Sequence, residues 1–242
     1  MNKQFVPKKA MFIFSHPDDI EFVAGGAAAY WATRGAELIY VLVTDGNVGS
    51  HDEGMTVEKL IETRRAEQWE AAIVAGASHC EFLGYHDGIV ELTLDLRKEL
   101  VRLIRIHRPD AVVTTDPTSM FENYTYINHP DHRATATAAL EAVYPSAALT
   151  RLYPELTAEG LEAHCVDHVF VRNDSQANFY IDISGIFDLK IEALMKHKSQ
   201  FVGWDPRPMV EEWDAATGKM IGLPYAEGYR HISLCDRRPF PD

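Results

Sequence analysis

Short apolar runs alternate with longer stretches of mixed polarity along the first part of the chain. Met11-Phe12-Ile13-Phe14 is the first run, and Ala10 to Ser15 reads as a strand. Apolar residues in succession, without polar alternation, mark a strand buried on both faces, as in a parallel sheet. From about Glu21 to Arg34 the pattern is helical, with Gly35 placed to end it. Leu38 to Val43 is a second buried strand, closed by the turn Thr44-Asp45-Gly46. Asn47 to Thr56 is polar and glycine-containing, hence a loop. Glu58 to Ala75 is a long helix punctuated by Gly76, Glu81-Phe82-Leu83 a short strand, and Gly84 to Gly88 another loop. Leu94 to His107 places Leu96, Leu100, Leu103 and Ile104 on one helical face. Arg108-Pro109-Asp110 stops that helix before a strand at Ala111 to Thr115. After a loop from Asp116 to Asn128, Pro130 can occupy the first turn of a helix that the alanine-rich Ala134 to Val143 continues.

This alternation predicts an α/β fold: a Rossmann-like, mostly parallel sheet flanked by helices and joined by right-handed crossovers. Later the pattern loosens. Val166 to Val171 and Phe179 to Ile183 look like strands, Ile186 to His197 like a helix, and the remainder is turn-rich, with Trp204, Pro206, Pro208, Trp213 and Pro224. Without a linker, repeat or low-complexity tract, residues 1–242 read as a single domain. Its core spans about 8–145 and an irregular C-terminal lobe about 146–242.

Charge narrows the partners. Thirty-six acidic against 23 basic residues give a formal net charge of −13, which argues against nucleic acid or an anionic membrane surface. No apolar run approaches the ~18 residues of a membrane span. Met1-Asn2-Lys3-Gln4 opens no hydrophobic stretch of signal-peptide length, so the expected location is the cytoplasm. Cys80, Cys165 and Cys235 are far apart and form no CxxC pair; each reads as a small buried apolar residue.

Chemistry concentrates in two clusters. His16-Pro17-Asp18-Asp19 follows the first strand, and His129-Pro130-Asp131-His132 follows the fourth. In open α/β sheets ligands sit outside the carboxyl ends of the strands, where both clusters fall. Histidine with aspartate suits a catalytic zinc, which takes three protein ligands and keeps one position open. Asp18 and Asp19, adjacent in a loop, point in different directions, so one can ligate a metal while the other handles a proton. The plainer alternative is that one of them only caps the following helix. No GxGxxG follows the first strand, no Walker lysine follows a glycine loop, and HExxH is absent. Gly25-Gly26 then reads as a place where helix and strand pack closely.

His16-Pro17-Asp18-Asp19 with Gly25-Gly26, Thr44-Asp45-Gly46, Arg64-Arg65 and His129-Pro130-Asp131-His132-Arg133 resemble the PIG-L/LmbE family of zinc-dependent N-acetylglucosamine deacetylases. The likeness covers roughly the first 145 residues. His197 to Phe201 and Tyr225 to Arg230 resemble the family's C-terminal segments more loosely. Within the family, the loop from Asp45 to Glu53 and the run from Arg64 look most like the archaeal diacetylchitobiose deacetylases. One departure is Ile20, where many members carry Glu; Glu21 follows at once.

The resemblance implies zinc, or another divalent metal, bound by His16, Asp19 and His132. It implies Asp18 as general base and His129 as the group that stabilises the oxyanion or protonates the leaving amine. Arg64 and Asp87 match positions that hold the sugar and tune the second histidine, and Asp87 near His129 would favour the imidazolium. Asp131 matches an orienting residue. The implied activity is removal of the N-acetyl group from an N-acetylglucosamine-containing saccharide or conjugate, releasing acetate, by a homo-oligomer acting on a small amino sugar. Two alternatives stand beside it: an amidase of a thiol–sugar conjugate, and a non-catalytic sugar-binding module with an inherited metal site. Asp18 separates the last from the others, because a binding module has no use for a general base. Plainer readings remain for Arg64 as a solvated helix residue and for Asp87 as a turn residue. The other histidines, His197 among them, read as structural, with His231 the one to watch.

Overall fold

The computed structural model of the protein describes residues 5–50, 52, 54–122 and 126–234. The alternation of apolar runs is realised as β1 (Lys9–Phe14), α1 (Asp19–Ala32), β2 (Glu37–Thr44), α2 (Val57–Ala75), β3 (His79–Tyr85), α3 (Leu94–His107) and β4 (Ala111–Thr115). A short hairpin, β5 (Phe121–Glu122) and β6 (Tyr126–Ile127), falls in the stretch that reads as a loop. There follow α4 (Pro130–Glu141), α5 (Pro154–Ala158), β7 (His168–Arg172), β8 (Phe179–Asp182), α6 (Phe187–Leu194), α7 (Arg207–Met220) and β9 (Ala226–Ser233).

Seven strands form one sheet in the order β3-β2-β1-β4-β7-β9-β8. The first five are parallel, and β9 runs antiparallel between β7 and β8. Successive side chains point to opposite faces, which divides the core in two. Phe12, Phe14, Tyr40 and Leu42 pack with Trp31 of α1 and Leu194 of α6. Met11, Ile13, Ile39 and Val41 pack with Leu100 and Ile104 of α3 and Ala138 of α4. Burying a side chain of the larger types among these contributes about 1.5–3 kcal/mol.

The stretch after 203 that reads as turn-rich contains α7 and β9. The strand β9 escapes an apolar-run reading because it buries a charge at its second residue. Glu227 of β9 is fully buried, and accepts hydrogen bonds from the backbone N–H groups of Gly26 and Ala27 in α1, both at 2.8 Å. It also accepts from Lys190 Nζ at 2.9 Å and from the Tyr229 hydroxyl at 2.6 Å. A side chain at position 26 would press on Glu227 and Ile183, so the Gly25-Gly26 pair provides the close approach that its composition suggests.

Among the cysteines, Cys80 is buried but Cys165 is exposed, which corrects the reading of it as a core residue; Cys235 lies outside the described residues. His231 stacks on Phe170 at 4.6 Å and contacts His168, the first residue of β7, at the end of the sheet away from both His-Pro-Asp clusters. Among the described residues no helix is long and apolar enough to cross a membrane.

The chain moves outward from β1 through β2 to β3, then returns to pair β4 on the other side of β1. The strand order thus reverses between β1 and β4, and the crevice outside their carboxyl ends is the natural ligand position of such a sheet. Both His-Pro-Asp clusters border it.

Candidate active site and metal centre

The first cluster leaves β1 through Ser15 and turns sharply at Asp18, whose φ of 83° is in the left-handed region. Asp18 stands at the N-cap of α1, yet its side chain makes no capping hydrogen bond. Its Oδ2 instead accepts from Arg64 Nη2 at 3.0 Å. The helix-cap reading of Asp18 is thereby excluded. Asp19 faces the other way: its Oδ2 accepts from the His16 backbone N–H at 2.8 Å and lies 3.2 Å from His16 Nδ1.

The second cluster opens α4, where Pro130 takes the first position and needs no donor there. This sets His132 one turn into the helix, with its Nε2 3.1 Å from Asp19 Oδ1. His16 Nδ1, the Asp19 carboxylate and His132 Nε2 therefore converge on one small region. The ligand atoms of these three residues all lie within 4.8 Å of one another. Ligands of a tetrahedral zinc with bonds of ~2.0–2.1 Å stand about 3.3 Å apart, so the donor set fits a metal in spacing as well as in kind.

The remaining ring nitrogens are also committed. His16 Nε2 lies 3.0 Å from Asp87 Oδ1 and 3.3 Å from Asp131 Oδ2. His132 Nδ1 lies 3.2 Å from Asn128 Oδ1. A metal-binding imidazole is typically oriented in this way, its far N–H given to a carboxylate or carbonyl oxygen. Asp131, fully buried, also accepts from the backbone N–H groups of Gly88 at 2.7 Å and Val90 at 3.1 Å. It ties the β3–α3 loop, which carries Asp87, to the His16 side of the site.

Electrostatics follow from this crowding. Burial alone would lower the His16 pKa, but Asp19, Asp131 and Asp87 outweigh it and push it up to about 12. Burial would raise Asp19, but His132 and His16 hold it well below the usual carboxylate range. The Asp18 carboxyl is pushed up to about 6 by burial, with Arg64 opposing. His129 behaves differently from the sequence expectation. Asp87 sits on His16 instead, and burial, with His16 and His132 nearby, lowers the His129 pKa against the weaker pull of Asp131 and Asp87. Its Nδ1 accepts the Asp131 backbone N–H at 3.2 Å. A neutral His129 then carries its proton on Nε2, and is a hydrogen-bond donor without being an imidazolium.

Arg64 is buried, not solvated. Its Nη2 donates to the Pro17 carbonyl at 2.7 Å as well as to Asp18, and its Nη1 donates to the Gly46 carbonyl at 3.2 Å. Gly46 has φ +65°, and a side chain there or at Gly49 would collide with the guanidinium. That is the physical content of the Thr44-Asp45-Gly46 turn. Asp87 is buried and bonded to His16, so it is more than a turn residue.

His16, Asp18, Asp19, Asp87, His129 and His132 thus come together, with Arg64 joined through Asp18. Sequence reasoning missed Asn128, which meets His132, and Gln68, whose Oε1 accepts from the Asp18 backbone N–H; His197, read as structural, is buried against Glu21. Gln68 had one available signal: it is four residues after Arg64, on the same face of α2. Exposed apolar side chains, Val48, Ile89, Phe121 and Ile127, stand in the connections that follow β2, β3 and β4, on the edge of the sheet that carries both clusters.

Comparison with known proteins gives a consistent picture. The family profile described as PIG-L, GlcNAc-PI de-N-acetylase, matches residues 11–143. The diacetylchitobiose deacetylase of Thermococcus kodakarensis is 32% identical over 232 residues, covering 93% of this chain and 83% of that protein. A probable N-acetyl-α-D-glucosaminyl L-malate deacetylase 2 from Bacillus anthracis is 27% identical over 201 residues, covering 80% of this chain and 82% of that protein. The solved N,N′-diacetylchitobiose deacetylase from Pyrococcus horikoshii superposes with a TM-score of 0.88 at 30% identity, covering 97% of this chain and 87% of that one.

Proposed function

From the premise that this chain belongs to the PIG-L family of de-N-acetylases, we propose that it is a zinc-dependent N-deacetylase of a small N-acetylglucosamine saccharide. The observation that carries the reading is the convergence of two His-Pro-Asp clusters, from the ends of β1 and β4, on one point between His16 Nδ1, Asp19 and His132 Nε2. The relatives named as diacetylchitobiose deacetylases favour a chitobiose-like substrate over a lipid-linked one. The exposed apolar side chains on the edge of the sheet that carries both clusters give the carbohydrate's C–H faces a surface to pack on.

His16, Asp19 and His132 would hold the metal, while Asp87, Asp131 and Asn128 orient the two imidazoles. A divalent cation there supplies Lewis-acid chemistry that makes water nucleophilic near neutral pH. Asp18 takes the proton that the attacking water gives up, and Arg64 keeps its carboxylate turned to the site. As water oxygen bonds to the acyl carbon, the carbonyl oxygen gains negative charge, and His129 Nε2–H donates to it. The C–N bond then breaks, the Asp18 proton passes to the departing amine, and acetate leaves.

Acetate release from N-acetylglucosamine, N,N′-diacetylchitobiose, and N-acetylglucosaminyl conjugates of malate and inositol tests the reading. The expected result is turnover of N,N′-diacetylchitobiose with the highest kcat/KM. Turnover of none of the panel would overturn it.

A further inference from the structure

Behind the site a chain of wholly buried polar side chains runs from the C-terminal part of the fold to Asp18, and the reaction steps above make no use of it. The Asp18 backbone N–H donates to Gln68 Oε1 at 3.0 Å. Gln68 Nε2 donates to Glu21 Oε1 at 3.1 Å and Oε2 at 3.2 Å. His197, which follows α6, places its Nε2 3.2 Å from Glu21 Oε2. Gln68, Glu21 and His197 are each fully buried.

The direction of these bonds is determined. Glu21 as a carboxylate only accepts, so it fixes the Gln68 NH2 on its own side and leaves the carbonyl oxygen to face Asp18. A flipped Gln68 would set NH2 against the Asp18 N–H. His197 donates to the same carboxylate, which compensates for burying it so deeply. At the far end, Asp18 holds a left-handed backbone, which costs a residue with a Cβ more than it costs glycine, though Asp and Asn adopt it more readily than most. A strained residue persists where its surroundings over-determine it, and the Gln68 bond is the contact on its amide that does so.

We propose that Gln68, locked in orientation by Glu21 and His197, is a positioning residue that keeps the Asp18 peptide left-handed and so aims the Asp18 carboxylate at the reacting water. This deepens the deacetylase reading and rests on it. The C-terminal segment then has a defined task in the chemistry: His197 meets Glu21 of α1, 176 positions earlier in the chain, and acts on Asp18 through Gln68.

The test uses the full chain with Gln68→Met, which keeps the volume but removes both polar ends, together with His197→Leu and His197→Gln. Amide hydrogen exchange at Asp18 is measured on the metal-free protein, and kcat and KM for N,N′-diacetylchitobiose on the zinc-loaded protein. Gln68→Met should speed exchange at the Asp18 amide and lower kcat by roughly ten- to a hundredfold while KM and zinc content stay close to wild type. His197→Leu should move both readouts in the same direction by less, and His197→Gln, which still donates to Glu21, should restore them. Wild-type exchange and wild-type kcat in folded Gln68→Met or His197→Leu would overturn the proposal. If wild type itself releases no acetate, the deacetylase reading fails, and the exchange measurement still decides the positioning of Asp18.

Discussion

Replacing Glu227 by glutamine, Glu227→Gln, removes one charge and one acceptor from the brace between β9 and α1. In the native protein Oε1 accepts from the Gly26 N–H and Lys190 Nζ, and Oε2 from the Ala27 N–H and the Tyr229 hydroxyl. Glutamine offers a single oxygen, so in either orientation its NH2 faces a backbone N–H. A buried donor left unmade costs about 1–3 kcal/mol. The Lys190 ammonium, fully buried, also loses an ionic partner, and breaking a buried pair from one side typically costs about 3–5 kcal/mol. Asp214 Oδ2, 2.7 Å from Lys190 Nζ, keeps part of the compensation and takes the pair's share below that range, so that with the unmade donor the sum is about 3 kcal/mol. For a chain of this size each kcal/mol moves Tm by about 2–4 °C, so scanning calorimetry at neutral pH should show a fall of about 6–12 °C. Lys190→Met combined with Glu227→Gln should recover part of the loss, since it removes the stranded cation. A fall of less than about 2 °C, or a double variant as unstable as the two single changes added together, would refute the brace as described.

Asp18→Asn should keep its metal and lose about 10²–10⁴ in kcat, because an amide cannot take the water's proton; kinetics with elemental analysis check it. His132→Ala should lose stoichiometric metal while His129→Ala retains it, which separates a ligand from an oxyanion donor by elemental analysis alone. His197 supplies a pH-dependent stability. Burial alone would lower its pKa, but Glu21 outweighs this and raises it above the usual 6.5. The stabilisation is therefore fully present below pH 6.5 and lost as pH rises through the raised value. The Tm advantage of wild type over His197→Gln should shrink with rising pH, and an advantage that grows with pH would contradict the sign.

The parts of the fold that local pattern controls were legible. Leu94–His107 appears as a helix with the bounds its apolar face implied, and the two His-Pro-Asp clusters occupy the strand ends where their flanking runs put them. The grouping of His16, Asp19 and His132 was legible because a cluster of His and Asp has few other uses. What escaped depends on long-range contact. Glu227 interrupts the apolar pattern of β9, and only its bonds to Gly26 and Ala27, some 200 residues away, make a buried strand of it. Gln68 carries no reactive group, so its place beneath Asp18 follows from the left-handed turn and from Glu21, neither visible in composition. The expected pairing of Asp87 with His129 failed for the same reason: which imidazole a loop carboxylate meets is set by how Asp131 ties down Gly88 and Val90, and that puts Asp87 on His16.

The central claim is that His16, Asp19 and His132 hold the metal that an N-deacetylase needs, and the most direct test is acetate release from N,N′-diacetylchitobiose during metal removal and return. Stripped with a chelator, the protein should fall to background, and titration with Zn²⁺ should restore the rate linearly to a plateau at one equivalent per chain. Undiminished acetate release by the stripped protein would contradict the account.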